Sequence, residues 1–180
     1  STPELRQGRL VAISGAGTRV VTGTIQGGAG SFGQVRVFEW DGAQWTQLGQ
    51  TLLNPDPQAS WGEVEAVTLS GDGRRVAVGN QLVVNPDRSR GAVWVYELAG
   101  SSWVQMGAPI SAEASPLNGV GVSLAFTTDG SRLAVGALLS ASGGLDTPGA
   151  VGVFEWDGGA WVPAGAPVFG SAERERLGTS

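Results

Sequence analysis

Short stretches of alternating apolar and polar residues, broken by glycine-rich turns, run along the whole chain. In Val35-Arg-Val-Phe-Glu-Trp40, Val35, Val37 and Glu39 share one face, and Arg36, Phe38 and Trp40 share the other. A period of two is that of a β-strand. The stretch Arg75-Val-Ala-Val-Gly79 is different, being apolar on both sides with small residues interleaved. That pattern belongs to a strand packed between two neighbouring sheets. No stretch of any length keeps a 3.6-residue period, so no helix is predicted.

Taken in order, the pattern predicts four strands, A to D, three times over. The first set covers 9–14, 19–24, 35–40 and 44–51. The second covers 65–70, 75–80, 92–98 and 102–110, and the third 122–127, 132–137, 150–156 and 160–169. The breaks carry turn chemistry. Asp41, Asp72, Asp129 and Asp157 each precede a glycine, the signal of a turn with positive φ. Asn54-Pro-Asp-Pro57 excludes a regular element between the first two sets.

Trp45, Trp103 and Trp161 stand 58 positions apart, and Gly23, Gly79 and Gly136 mark strand B of each set. A repeat of this kind, four antiparallel strands with one buried on both faces, predicts an all-β fold of β-propeller blades. The alternative is a β-sandwich, which needs no fixed period. The expected blades are 9–52, 64–110 and 121–169, with 170–180 leading into a further strand A. Propellers close with about 4–8 blades, so the 180 residues are expected to form one partial propeller domain. Either further blades or further copies of the chain would complete it. Three blades alone would leave two uncovered apolar faces, so the isolated segment is not expected to behave as a stable soluble monomer.

Composition narrows the chemistry. Hydrophobic residues make up 41% and charged residues 15%, a globular balance. There is no cysteine and no histidine, which removes disulfides, thiolate metal sites and the commonest general base. All 11 basic residues are arginine and the net charge is -5, with no basic stripe to grip nucleic acid. No apolar run approaches the roughly 20 residues of a membrane span.

Val67–Ser70, Asp72-Gly73, Ala77–Gly79 and Trp103-x-Gln105-x-Gly107, with Trp61-Gly62 where Phe-Gly is usual, resemble the FG-GAP class of propeller repeats. Those repeats occur in integrin α-subunit heads and many secreted or surface proteins, so the resemblance implies an extracellular or lumenal setting. Many of its members bind calcium in an acidic A–B loop. Here those turns are Gly15-Ala16-Gly17, Gly71-Asp72-Gly73 and Asp129-Gly130. One carboxylate at most cannot supply the roughly 6–8 oxygens that calcium prefers. No metal and no cofactor is therefore expected.

The repeated residues read as structural. Trp45, Trp103 and Trp161 could stack sugars, but identity in all three repeats favours a packing wedge. Arg19, Arg75 and Arg132 open strand B, and Glu39, Glu97 and Glu155 lie near the end of strand C. Antiparallel pairing sets each arginine beside the glutamate of its own blade, as a cross-strand pair. The alternatives are an arginine that serves a neighbouring blade, or two groups that are simply solvated. Residues that differ between repeats lie in the long B–C and D–A segments. Asp56, Asp87 and Asp146, with Asn54 and Asn85, could hold a cation or simply be solvated. Arg88 and Arg90 make a small basic spot that could meet an acidic partner. Any protein contact is expected at that end, because variation is tolerated there.

No nucleophile with a base in reach stands out, and no catalytic residue is assigned. The expectation is a non-catalytic propeller scaffold, not an enzyme, that binds a protein or further blades of its own kind. An extracellular carbohydrate- or ligand-binding module is the second reading, and a carboxylate-based glycoside hydrolase the third.

Overall fold

A computed structural model describes residues 6–25, 33–53, 64–80, 91–111, 117–138, 148–172 and 174–179. Every regular element among them is a strand, and none of them forms a helix that could cross a membrane. The first blade is β1 (Arg6–Ile13), β2 (Arg19–Ile25), β3 (Val35–Trp40) and β4 (Trp45–Gln47). The second is β5 (Ala66–Leu69), β6 (Arg75–Asn80), β7 (Ala92–Ala99) and β8 (Ser102–Gln105), with β9 (Ile110–Ser111). The third is β10 (Val120–Phe126), β11 (Arg132–Ala137), β12 (Ala150–Trp156) and β13 (Trp161–Pro163), with β14 (Val168–Phe169). Within each blade successive strands pair antiparallel as a four-stranded meander. β5 lies against β1 and β2, and β10 against β5 and β6, so the blades stack with their A strands side by side.

Strand D departs from the expectation of one continuous strand. In the second blade β8 and β9 both pair with β7, and in the third β13 and β14 both pair with β12. Gly107 and Gly165 take positive φ between the halves. Pro109 and Pro167 follow, with no N–H to give the ladder. In the first blade Gly49 takes positive φ at the corresponding place, with no proline two positions after it, and Leu52 alone bridges Val35. The A strands of the first and third blades start earlier than the alternation suggests, at Arg6 and Val120, because backbone pairing continues past a register shift in each.

Two cores form, each between neighbouring blades. Val21, Val35 and Val37 of the first blade meet Val76, Val78, Tyr96, Leu98 and Trp103 of the second. Val93, Val95, Met106 and Ile110 of the second meet Leu133, Val135, Phe154 and Trp161 of the third. The middle blade is thus covered on both sides, which is why Ala92–Tyr96 is buried without alternation. The outward face of the first blade bears exposed Val11, Ile13, Trp40 and Trp45, and that of the third bears exposed Val153 and Val168.

In the second and third blades the recurring glycine of strand B has a steric cause. A Cβ on Gly79 would overlap the Gly121 carbonyl of the next blade, and one on Gly136 the carbonyl of Gly178. Backbone meets backbone there, and only glycine permits it.

Candidate functional site

Most of the described charges lie at the end of the blades that holds the A–B and C–D turns. Ser14, Ser70 and Thr127 close the A–B turns from one side. Each hydroxyl accepts the backbone N–H of the strand-B arginine, at 3.1, 2.9 and 3.1 Å for Arg19, Arg75 and Arg132. Gly17, Gly73 and Gly130 each donate a backbone N–H to the same residue's carbonyl and hold positive φ. The aspartate before glycine stays at negative φ. Among the described residues only Arg174 and Arg176 are non-glycine residues with positive φ. The Asp-Gly pairs therefore do not form the turn in which both residues turn left-handed. Aspartate serves by its side chain instead.

Asp41 Oδ1 accepts the N–H groups of Ala43 and Gln44, and Asp157 Oδ1 those of Gly159 and Ala160. Asp72 Oδ1 accepts from the Ser70 hydroxyl and the Arg74 N–H. Asp129 Oδ1 accepts the Thr127 hydroxyl at 2.7 Å, the Ser131 N–H at 3.0 Å and the Ser131 hydroxyl at 2.8 Å. Hydrogen bonds to the ionised form favour it. The N–H groups of Gln44 and Ala43 lower the Asp41 carboxyl, and those of Ala160 and Gly159 lower Asp157. The Thr127 hydroxyl, then the Ser131 donors, bring Asp129 from 3.8 down to about 2. Such carboxylates cap their own turns and are poor proton acceptors near neutrality.

A pH dependence follows. Asp129 is more acidic in the folded chain than unfolded, so its contribution is full above about 3.8 and is lost as pH falls through about 2. Asp129→Asn keeps the accepting oxygen but does not titrate. Between pH 4 and 2, on the order of the shift itself, the melting temperature of the variant is expected to fall less steeply than that of the native chain.

Arginine and glutamate meet in all three blades. Nη2 of Arg19 lies 2.7 Å from Glu39 Oε1, that of Arg75 3.1 Å from Glu97 Oε1, and that of Arg132 3.1 Å from Glu155 Oε2. The register pairs the same residues across strands B and C. The arginine also reaches out of its blade. Arg19 Nη1 donates to the Gly73 carbonyl at 3.0 Å, and Arg75 Nη1 to that of Gly130 at 2.7 Å. An intra-blade pair and a neighbouring-blade role, alternatives in the sequence, are both present. With the glutamates more than a third exposed, each ion pair is worth at most about 1 kcal/mol. A carbonyl buried beneath an arginine costs about 1–3 kcal/mol when left without its donor.

The repeated tryptophans occupy different surroundings. Trp103 is buried against the first blade, and its indole N–H donates to the Leu48 carbonyl at 2.8 Å. Gln50 adds a link that the repeat pattern does not announce: its amide bonds both the carbonyl and the N–H of Trp103, at 2.6 and 3.0 Å. Trp161 is buried beside Phe126 and Trp156, whereas Trp45 lies exposed with Trp40. The hydroxyls of Ser14, Ser70 and Thr127 and the Gln50 amide are the working polar groups that sequence reasoning missed. The recurrence of Ser or Thr five positions before each strand-B arginine was the available signal for the first three.

Asp72, Thr127, Thr128, Asp129, Ser131 and Arg132 line a shallow depression between the last two A–B turns. Among the described residues no three acids gather to hold a metal ion. Asp56, Asp87, Arg88, Arg90 and Asp146, with Asn54 and Asn85, lie outside the described residues, as does Trp61.

Four-stranded blades of this order, stacked on their A strands, define a β-propeller. No protein-family model matches the sequence, and no curated protein does. Solved structures do. A proposed 6-phosphogluconolactonase from Bacteroides uniformis matches 97% of this chain and 43% of its own, with TM-score 0.58 and 14% identity. A second, from Bacteroides fragilis, matches 91% and 39%, with TM-score 0.55 and 15% identity. The β-propeller domain of the Trilobed protease from Pyrococcus furiosus matches 87% and 42%, with TM-score 0.51 and 8% identity. The chain spans less than half the length of each.

These likenesses establish the propeller fold, and they overturn the expectation of a non-catalytic scaffold that is not an enzyme. That expectation rested on the lack of histidine, cysteine, lysine and an evident carboxylate pair. The same blade arrangement occurs, over nearly the whole chain, in proteins named as lactonases. A propeller assembles its site from loops of several blades, so the groups within three blades need not include a complete catalytic set.

Proposed function

We propose that this chain supplies three blades of a propeller hydrolase that opens a sugar lactone, a phosphorylated one by preference. The observation that carries this reading is the match to the proposed 6-phosphogluconolactonase of Bacteroides uniformis across 97% of the chain. The reaction needs a water activated for attack on the ring carbonyl, a donor for the oxyanion, and a cationic grip on the phosphate. At the turn end, Asp41, Asp72, Asp129 and Asp157 cap their own turns and the arginines are paired. The reading therefore places the reaction at the opposite end, where the B–C and D–A segments vary between repeats. Arg88 and Arg90 supply the phosphate grip, and Asp56, Asp87 and Asp146 are the acids available as base. The finer likeness of the repeats to the FG-GAP class, on Trp103, Gln105 and Gly107, concerns the blade pattern and not the reaction.

The test follows proton release on adding 6-phosphogluconolactone to the protein at its native length. Hydrolysis well above the spontaneous rate is expected, with Arg88→Ala/Arg90→Ala raising KM about tenfold while kcat changes little. Hydrolysis no faster than spontaneous, for this lactone and for its unphosphorylated counterpart, overturns the reading.

A further inference from the structure

The outward face of the third blade carries the same fittings that the first two blades use to hold their neighbours. Val37, Val95 and Val153 occupy equivalent positions on strand C, paired with Val21, Ala77 and Ala134. Val37 is 0% exposed and Val95 2%, each covered by the following blade, whereas Val153 is 39% exposed. The strand-B arginines follow the same series. Arg19 and Arg75 each donate to the carbonyl of the following blade's turn glycine, and their side chains are 20% and 18% exposed. Arg132 keeps its glutamate, but its side chain is 58% exposed.

A short segment already marks how that face is entered. Between the second and third blades, the Val120 and Gly121 carbonyls press on Gly91 and Gly79. On the third blade, the Leu177 and Gly178 carbonyls press on Gly149 and Gly136 in the same way. Leu177 bridges Gly149, and Ser123 Oγ donates to the Gly178 carbonyl at 2.8 Å. Gly121 and Gly178 share positive φ. Residues 176–178 thus stand where a strand A begins.

We infer that this face is a docking surface for one further blade of the same pattern, entered through residues 176–179. Arg132 is its bolt, donating to the carbonyl of a turn glycine equivalent to Gly73 and Gly130. The occupant presents a left-handed glycine at its A–B turn and an aliphatic face to Val153 and Val168. A second copy of the chain fits less well. Its Gln7 pairs with Thr24 as Val120 pairs with Ala137, so its own first strand would claim the place that residues 176–178 hold. The surface stands whether or not the propeller is a hydrolase.

The chain has no cysteine, so a single introduced thiol reports the cover without background. Val153→Cys and Val104→Cys are compared for maleimide modification in the protein at its native length. Val104 is exposed on β8 and serves as the open reference. Val153→Cys is expected to react at least about tenfold more slowly, at a rate independent of protein concentration. Adding Arg132→Ala is expected to speed its modification several-fold, about as far as one lost bond loosens the face, and to leave Val104→Cys unchanged. Equal rates at the two positions overturn the inference. So does protection that grows with protein concentration, which would make the cover a second copy.

Discussion

Trp103→Ala is expected to cost about 3–5 kcal/mol of stability, the range for deleting a large buried aromatic. Its indole is buried between the first two blades, and it carries the N–H to the Leu48 carbonyl. Truncation leaves that carbonyl without its donor and opens a cavity beside Gly49, whose backbone lies against the ring. Val104→Ala, one position along the same strand but exposed, should stay within about 0.5 kcal/mol. Denaturant midpoints at unchanged slope measure both. A loss at Trp103 no larger than at Val104 would show that the ring is not the wedge between blades.

Gly79→Ala is expected to destabilise by about 2–3 kcal/mol, the upper range of overpacking, because the added methyl meets backbone on the opposite blade. The obstructing atoms belong to Gly121, itself at positive φ, so neither strand yields by turning a side chain. Gly23→Ala is the control. There the nearest atoms are side-chain carbons of Leu10 and Val67 at 3.2 Å, which can give. Its cost should stay within about 1 kcal/mol, offset in part by the entropy that glycine loses on folding. Equal effects at the two sites would mean that the close backbone approach does not set the residue.

These contrasts show what the repeat conceals. Positions alike in sequence differ in energy because the blades differ in their neighbours. Trp45, Trp103 and Trp161 are one residue in the pattern but an exposed, a hydrogen-bonded and an aromatic-packed residue in the fold. Arg19, Arg75 and Arg132 share their glutamate contact, and two of them reach the next blade as well.

The alternation of period two and the recurrence of Trp, Gly and Asp-Gly determined the all-β class, the four-strand blade and its threefold repetition, since these are local properties of side-chain direction and turn geometry. Antiparallel order likewise placed each Arg beside its Glu, because strand register follows once the turns are known. Tertiary structure decided which faces meet. It broke strand D where Gly107 and Pro109 interrupt the ladder, and it turned the Asp-Gly carboxylates to cap their own turns. It also gave the strand-B glycine of the second blade, Gly79, its reason in a carbonyl from the next blade. The function was least legible, because a propeller site is gathered from loops that the repeat does not constrain. The forces that impose the period, packing and pairing between blades, act on the buried faces and leave those loops free to vary.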